Sequence, residues 1–364
     1  MRCLGIESTA HTFGAAVMED EAGGKAAASG TRNTGGVSAS HEPQGGSEST
    51  DAERSVRDEE VLSSEKDMYE PDEGGIHPRE AAEHHYAKSL DVYSNALRQA
   101  GIEVEELDCI AFSQGPGMPP SLDVGAVVAR SLALKHNLPI YGVNHILGHI
   151  EIGRLMTDTE DPVVLYVSGG NSQVVSYAGG RYRVFGETLD IAAGNALDKL
   201  ARTLGIPHPG GPEIERLAKE GEELLELSYV VKGMDFSFSG LLTEAQRMYE
   251  KGDVRKEDLC LSFQEHMYAM LVEATERAMA HLDRDEVLLT GGVAANGRLR
   301  EMLETMAGER GGEAFLVPSE YATDNAAMIA WQGINRARNE EPDRISGTEI
   351  MSEWRPEEVK VTWR

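Results

Sequence analysis

The chain has 364 residues, enough for two domains with cores of ordinary size. Acidic residues outnumber basic ones 62 to 34, a formal net charge of -28 that suits a salty cytoplasm and argues against a chain that binds nucleic acid unaided. Three cysteines without paired spacing, Cys3, Cys109 and Cys260, argue against a disulfide framework or a thiolate zinc site and for a reducing cytosol. No run approaches the roughly 18 apolar residues of a membrane span, and Glu7 and His11 interrupt what would be a signal-peptide core, so the expected location is cytoplasmic.

Two strand-like runs, "CLGIEST" and "FGAAVME", open the chain. From about residue 20 to 57 the sequence becomes Gly, Ser, Ala and charge without one aromatic, which predicts a disordered acidic insert in a hairpin. "EEVLSSEKDMYEP" resumes as a strand, and "HPREAAEHHYAKSLDVYSNALRQAG" predicts a helix with Pro78 near its start and Gly101 as its C-cap. "LDCIAFSQGPG" reads as a strand, "LDVGAVVARSLALKHN" as a helix and "LPIYGVNH" as a buried strand. The second half repeats the pattern: a three-strand meander over 162–190, helices in "AAGNALDKLARTLG" and "PEIERLAKEG", and a long helix over 261–282. A strand, glycine turn and helix follow in "EVLLTGGVAANGRLREMLETMAG", then a closing helix in "TDNAAMIAWQGINRAR". Two halves that each begin with a meander predict a duplicated α/β fold around a central cleft, where ligands of such folds lie.

Two features in that pattern carry chemistry. "NHILGHIEIG" places His145 and His149 four apart on a predicted helix, with β-carbons about 5 to 6 Å apart, a spacing that suits one metal ion or a buried structural pair. The zinc-protease pattern needs a glutamate beside the first histidine, and Ile146 stands there. The adjacent His84 and His85 cannot clamp an ion from one helix face. Asp324 precedes an apolar helix, where it serves as an N-cap or, turned to the cleft, as a third ligand. Glycine turns at 168–171, 208–213 and 290–297 let the backbone approach a phosphate or merely make tight connections. Asp198, inside an apolar-periodic helix, needs a partner such as a ribose hydroxyl or an amide, unless it lies on a solvated face. A Walker-type loop is absent.

Taken in order, "GIESTAHTFG", "GGIHPREAAEHH", "GPGMPPSLDVG", "VNHILGHIEIG", "YVSGGNSQV", "GETLDIAAGNALDKLAR", "PHPGGPEIE", "MDFSFSGLLT", "LTGGVAANGRL" and "ATDNAAMIAWQG" resemble the motifs of the universal tRNA N6-threonylcarbamoyladenosine transferase family. The archaeal and eukaryotic branch, the catalytic subunit of the KEOPS complex, is the nearest match, and the resemblance spans nearly the whole chain apart from the insert. It departs at Ser8, where archaeal relatives commonly have glycine. Many salt-loving archaeal relatives carry a small kinase domain after the last helix, whereas this chain ends at "EVKVTWR".

The resemblance implies the actin-like, sugar-kinase and Hsp70 (ASKHA) fold, two ribonuclease-H-like domains around a nucleotide cleft. One lobe is expected over 1–158 plus 326–350, the second over 159–325, and a tail over 351–364. It implies transfer of a threonylcarbamoyl group from threonylcarbamoyl-AMP, supplied by a separate synthase, to the adenosine 3′ of the anticodon (position 37) in tRNAs reading ANN codons. One divalent metal per subunit, iron or zinc, falls to His145, His149 and Asp324 with Tyr166 close by. The nucleotide, ATP or the acyl-adenylate, falls to Tyr166, Val167, Ser168, Gly169, Gly170, Asn171, Asp198, Gly211, Glu215 and Asn296. No motif side chain is an obvious general base. The implied partners are tRNA and the other KEOPS subunits, a small kinase-like ATPase and accessory proteins, with "HPREAAEHHYAKSL" and its neighbouring helix as docking faces or simply core packing. A small-molecule kinase or a non-catalytic ATP-binding scaffold of the same fold is the alternative.

Overall fold

A computed structural model describes residues 1–20, 59–71 and 75–364. All but the first residue of the expected insert lies outside the described residues. β1 (Arg2–Glu7), β2 (Thr12–Asp20) and β3 (Glu59–Met68) form an antiparallel meander. α1 (Pro78–Ala100) follows, with proline in its first turn, where the missing N–H leaves nothing unsatisfied, and it ends on Gly101 at φ 68. β4 (Cys109–Gly115), α2 (Pro119–His136) and β5 (Ile140–Asn144) complete a sheet of order β3-β2-β1-β4-β5, with β4 and β5 parallel to β1.

α3 (His145–Thr157) leads into a second meander, β6 (Val163–Val167), β7 (Ser172–Ala178) and β8 (Arg181–Glu187). Next come α4 (Ala193–Thr203), α5 (Gly211–Ala218), the small hairpin of β9 (Val231–Lys232) and β10 (Asp235–Phe236), α6 (Ser239–Lys251) and α7 (Lys256–Leu282). β11 (Glu286–Thr290), α8 (Gly297–Glu309) and β12 (Glu313–Leu316) close the second sheet as β12-β11-β6-β7-β8, with the two late strands parallel to β6. A one-turn α9 (Ser319–Ala322) precedes α10 (Ala327–Asn339). Both sheets thus share one strand order, as the duplicated meander predicts, and their central strands are buried because helices cover both faces.

Each sheet packs its outer helices on one face. Leu4, Ile6, Phe13, Ile110 and Leu132 belong to the core beneath α1 and α2, and Leu165, Phe236, Phe263 and Leu289 to the larger core of the second lobe. The inner faces are covered reciprocally. α10 lies on the first sheet so closely that a β-carbon at Gly5 would sit 2.3 Å from the Ala326 carbonyl, while α3 packs Ile146, Leu147 and Ile150 with Val164 and Leu288 of the second sheet. The two helices meet at Gly148, whose missing β-carbon leaves room for Met328 and Ile329.

Several details differ from the sequence expectation. The long helix begins at Lys256, five residues early, because the acidic first turn of Glu257 and Asp258 suits a helix N-terminus and Leu259 and Cys260 extend its buried face. α6 and the β9–β10 hairpin occupy a stretch to which the sequence reading assigns no element. Cys3 and Cys109, distant in sequence, are register partners on β1 and β4, and both are free and buried. Residues 351–364 do not trail away. The Met351 amide donates to the Gln114 carbonyl, the Trp354 carbonyl accepts from Asn144, and Trp363 Nε1 donates to Glu151 Oε1 at 2.8 Å. Among the described residues no helix is long and apolar enough to cross a membrane.

Candidate metal centre and nucleotide cleft

β5 ends at Asn144, whose side-chain oxygen accepts from the amides of Ile146 and Leu147 at 3.0 and 3.2 Å, an N-cap that fixes the start of α3. His145 and His149 then stack one turn apart, ring centroids 4.7 Å and planes nearly perpendicular. Asp324 comes from the link between α9 and α10. Its Oδ1 lies 3.3 Å from His149 Nε2 and 3.6 Å from His145 Nε2, and the ligand atoms of the three residues all lie within 4.8 Å of one another. Asp324 does not cap α10. Asn325 does, accepting from the Met328 amide at 3.0 Å, which leaves the aspartate facing the histidines.

Glu7 stands behind this group, fully buried at the end of β1. Its Oε2 lies 3.0 Å from His145 Nδ1, while Oε1 accepts from the Thr9 amide at 2.7 Å and the Thr9 hydroxyl at 2.5 Å. A carboxylate only accepts, so the proton of neutral His145 sits on Nδ1 and the Nε2 lone pair faces Asp324, the orientation a metal-binding imidazole needs. Glu7 is absent from the residues singled out by sequence. The available signal is a charged residue terminating an otherwise apolar core strand, which is costly unless partnered.

Burial disfavours charge on His145, but the charge and hydrogen bond of Glu7 outweigh it and push its pKa up to about 9. Burial holds His149 below its ordinary value. For Asp324 burial works upward, and the hydrogen bond from His149 with the charge of His145 wins, keeping the carboxyl well below the usual range. The donor atoms of His145, His149 and Asp324 converge as a divalent cation requires, so the residues fit such an ion, whose binding would displace the proton from His145. Tyr166 is buried with its ring 5.2 Å from that of His149, and burial raises its phenol so that it stays neutral.

The expected nucleotide residues lie along connected turns of the second lobe. The turn of Ser168 to Asn171 is closed by the Ser168 amide donating to the Asn171 carbonyl, and it is braced on the start of α4 by Gly194, where a β-carbon would sit 2.7 Å from the Ser168 carbonyl. Val167, at the end of β6, contacts Gly291 in the same way. Asp198 finds an amide partner, Gly210 at 2.9 Å, and lies 3.4 Å from His208. On α5, Glu215 accepts from the Gly297 amide at 3.2 Å, and Asn296 caps α8 while donating to Gln264. Open space faces Gly169, Gly170, Gly211 and Gly292. Asp198, Glu215 and Asn296 thus brace turns whose glycines face open space.

Residues 59–331 match the family model of TsaD, tRNA N6-adenosine threonylcarbamoyltransferase. A protein of that name from Thermococcus kodakarensis is 48% identical over 363 residues, covering all of both chains. The chain belongs to this family. It is a transferase that acts in forming N6-threonylcarbamoyladenosine in tRNA. A "Probable bifunctional tRNA threonylcarbamoyladenosine biosynthesis protein" from Methanocaldococcus jannaschii is 50% identical over 322 residues, covering 88% of this chain and 59% of that one. Component A of (R)-2-hydroxyglutaryl-CoA dehydratase from Acidaminococcus fermentans superposes with a TM-score of 0.52 at 13% identity, covering 91% and 97% of the two chains. At that identity the likeness concerns the fold, the ASKHA arrangement that the family resemblance implies.

Proposed function

We propose that His145, His149 and Asp324 hold one divalent metal, iron or zinc, and that the glycine turns with Asp198, Glu215 and Asn296 hold the adenylate of threonylcarbamoyl-AMP. The acceptor is adenosine 37 of tRNAs reading ANN codons. The observation that carries this reading is the convergence of three donors from α3 and the α9–α10 link beside Tyr166, the last aromatic before the open turn of 168–171. The N6 amine attacks the carbamoyl carbon of the mixed anhydride, a C–N bond forms, the C–O bond to phosphate breaks, AMP leaves with the electron pair and N6 releases one proton. The donor is already activated, so positioning and stabilisation of developing charge suffice. A bound metal supplies Lewis acidity toward an oxygen of the donor. Glu7 orients His145 for its ligand role, Tyr166 packs against His149, and the glycine amides face the leaving phosphate.

A surface charge of -28 attracts few phosphates, which supports a partner-assisted reaction with a KEOPS-type kinase-like ATPase and accessory proteins in the cytoplasm. Tyr86 and Leu90 on α1 and Leu134 on α2 are more than 60% exposed and give those helices an apolar docking face. The lobes are assigned as 1–158 plus 326–350 and 159–325. The test is transfer of labelled threonylcarbamoyl to tRNA by this protein with the synthase, with and without partner subunits, beside elemental analysis. Metal at one ion per chain and partner-stimulated transfer are expected. Metal-free, fully active protein would overturn the assignment.

A further inference from the structure

A cavity of about 310 Å³ opens between the lobes beside the 168–171 turn. Ile146, Gly170, Asn171, Gln173, Thr188 and Trp354 contribute to its wall. Its volume lies at the lower end of the range for small-molecule clefts, about 300 to 1,000 Å³.

Gln173 is the unusual member. It is 8% exposed, and its Nε2 donates to Glu187 Oε2 at 3.2 Å. Because a carboxylate only accepts, that contact fixes which end of the amide faces Glu187. Oε1 is left buried without a hydrogen-bond donor. An unsatisfied buried acceptor destabilises the fold unless a ligand supplies the proton. Strand register adds direction: Gln173 on β7 stands opposite Tyr166 on β6 and opposite Glu187 on β8. Directly paired residues project from the same sheet face, so a row runs from Tyr166, which packs on His149, through Gln173 to Glu187 and its ion pair with Arg355.

Chemically the wall selects its ligand. Glu187 and Glu353 outnumber Arg355, the one cation of the wall, which is already paired with Glu187 and Glu357, so the cavity is a poor seat for a phosphate or a carboxylate, and the indole of Trp354 offers an apolar surface for a flat ring. An enzyme that reacts at the edge of a base takes the base out of its stack and reads it by hydrogen bonds and aromatic contact. We propose that this cavity receives the acceptor adenine, with its N6 amine donating to Gln173 Oε1 and Trp354 lining the ring's path. The amine then lies one strand from Tyr166, beside the donor's reactive end. This inference rests on the transferase reading above.

The test compares anticodon stem-loop RNAs that carry either adenosine or purine riboside, which lacks the amine, at the acceptor position. Binding is measured to the full chain with its partner subunits, alongside binding of a non-hydrolysable acyl-adenylate analogue. Wild type should favour adenosine by about tenfold, and Gln173→Leu should erase that preference while leaving analogue affinity unchanged. Trp354→Leu should weaken both RNAs to a similar degree. Wild type without a preference, or Gln173→Leu that keeps it, overturns the proposal, and so does an equal loss of analogue binding, which would assign the cavity to the donor. If Gln173→Leu does not fold, Trp354→Leu decides, because unchanged RNA affinity there also overturns it. Failure of wild type to transfer threonylcarbamoyl at all would instead sink the transferase mechanism, so the two failures are distinguishable.

Discussion

After β1 the chain turns through Ser8, Thr9 and Ala10, and after β6, the corresponding strand of the second lobe, it turns through Ser168 to Asn171. The first turn is packed shut. Ser8 is fully buried and Thr9 nearly so, and the Ala10 carbonyl lies 3.0 Å from His85 Nε2. At the neighbouring connection after β4, a β-carbon at Gly117 would sit 2.6 Å from the Thr9 carbonyl. In the second lobe Gly169 and Gly170 face open space, as does Gly292 after β11. One strand order therefore supports two outcomes: the first lobe fills its turns with its own side chains, whereas the second leaves the glycines of its turns facing open space.

The sharpest way to break this comparison is to remove the candidate ligands. His145→Ala, His149→Ala and Asp324→Ala should each lose bound metal by elemental analysis and reduce transfer at least about a hundredfold, measured on variants whose circular dichroism shows a retained fold. Glu7→Gln, which removes only the carboxylate behind His145, should cost about 10- to 100-fold in metal affinity. Full metal occupancy in all of the alanine variants would remove the metal centre from the first lobe.

A test of how tightly the first lobe is closed uses pH. Burial lowers the pKa of His85 to about 4, against the Ala10 carbonyl and Glu7, which favour the charged form, while His84 and His11 oppose it. The unfolded chain binds that proton from about pH 6.5 downward and the folded one only near 4, so stability is complete above 6.5 and declines as pH falls from 6.5 to 4. The loss from this one residue is roughly 2 to 4 kcal/mol. Denaturant titrations of wild type and His85→Asn across that window should differ in slope. Parallel slopes would mean that His85 is solvated.

Paired glycine substitutions sharpen the contrast further. Gly117→Ala should destabilise folding by about 1 to 3 kcal/mol because the Thr9 backbone blocks the new methyl group. Gly169→Val, facing open space, should leave the melting temperature unchanged and weaken adenylate binding measured by calorimetry. The smallest effect expected is at the C-terminal segment. Trp363→Phe removes one hydrogen bond to Glu151, which keeps Tyr182 and Arg154 as partners, so chemical denaturation should show a loss of about 1 kcal/mol.

Local signals made much of this legible. Apolar runs bounded by glycine and proline located most of the strands and helices in order, and the i, i+4 spacing of His145 and His149 already placed them on one helix face. Contacts distant in sequence were not legible. The Glu7 carboxylate is 138 residues from the imidazole it orients, and the Asp324 carboxylate is 175 from His149. Position alone left Asp324 as either a cap or a ligand, and the choice turns on Asn325, whose side chain takes the cap. The open acceptor of Gln173 depends on which residues β8 sets beside it, a matter of register that periodicity alone does not encode.

α3 carries two of the three candidate ligands and lies on the second sheet. α10, which follows the third, lies on the first, and the two helices touch at Gly148. Any opening of the cleft that pivots on that contact moves atoms in proportion to their distance from it. The histidine and aspartate donors sit close to the axis and are displaced least, while the glycine turns, farther out on the lever arm, sweep the largest arc. Domain closure would then reshape the open turns and leave the spacing of the three candidate donors nearly constant.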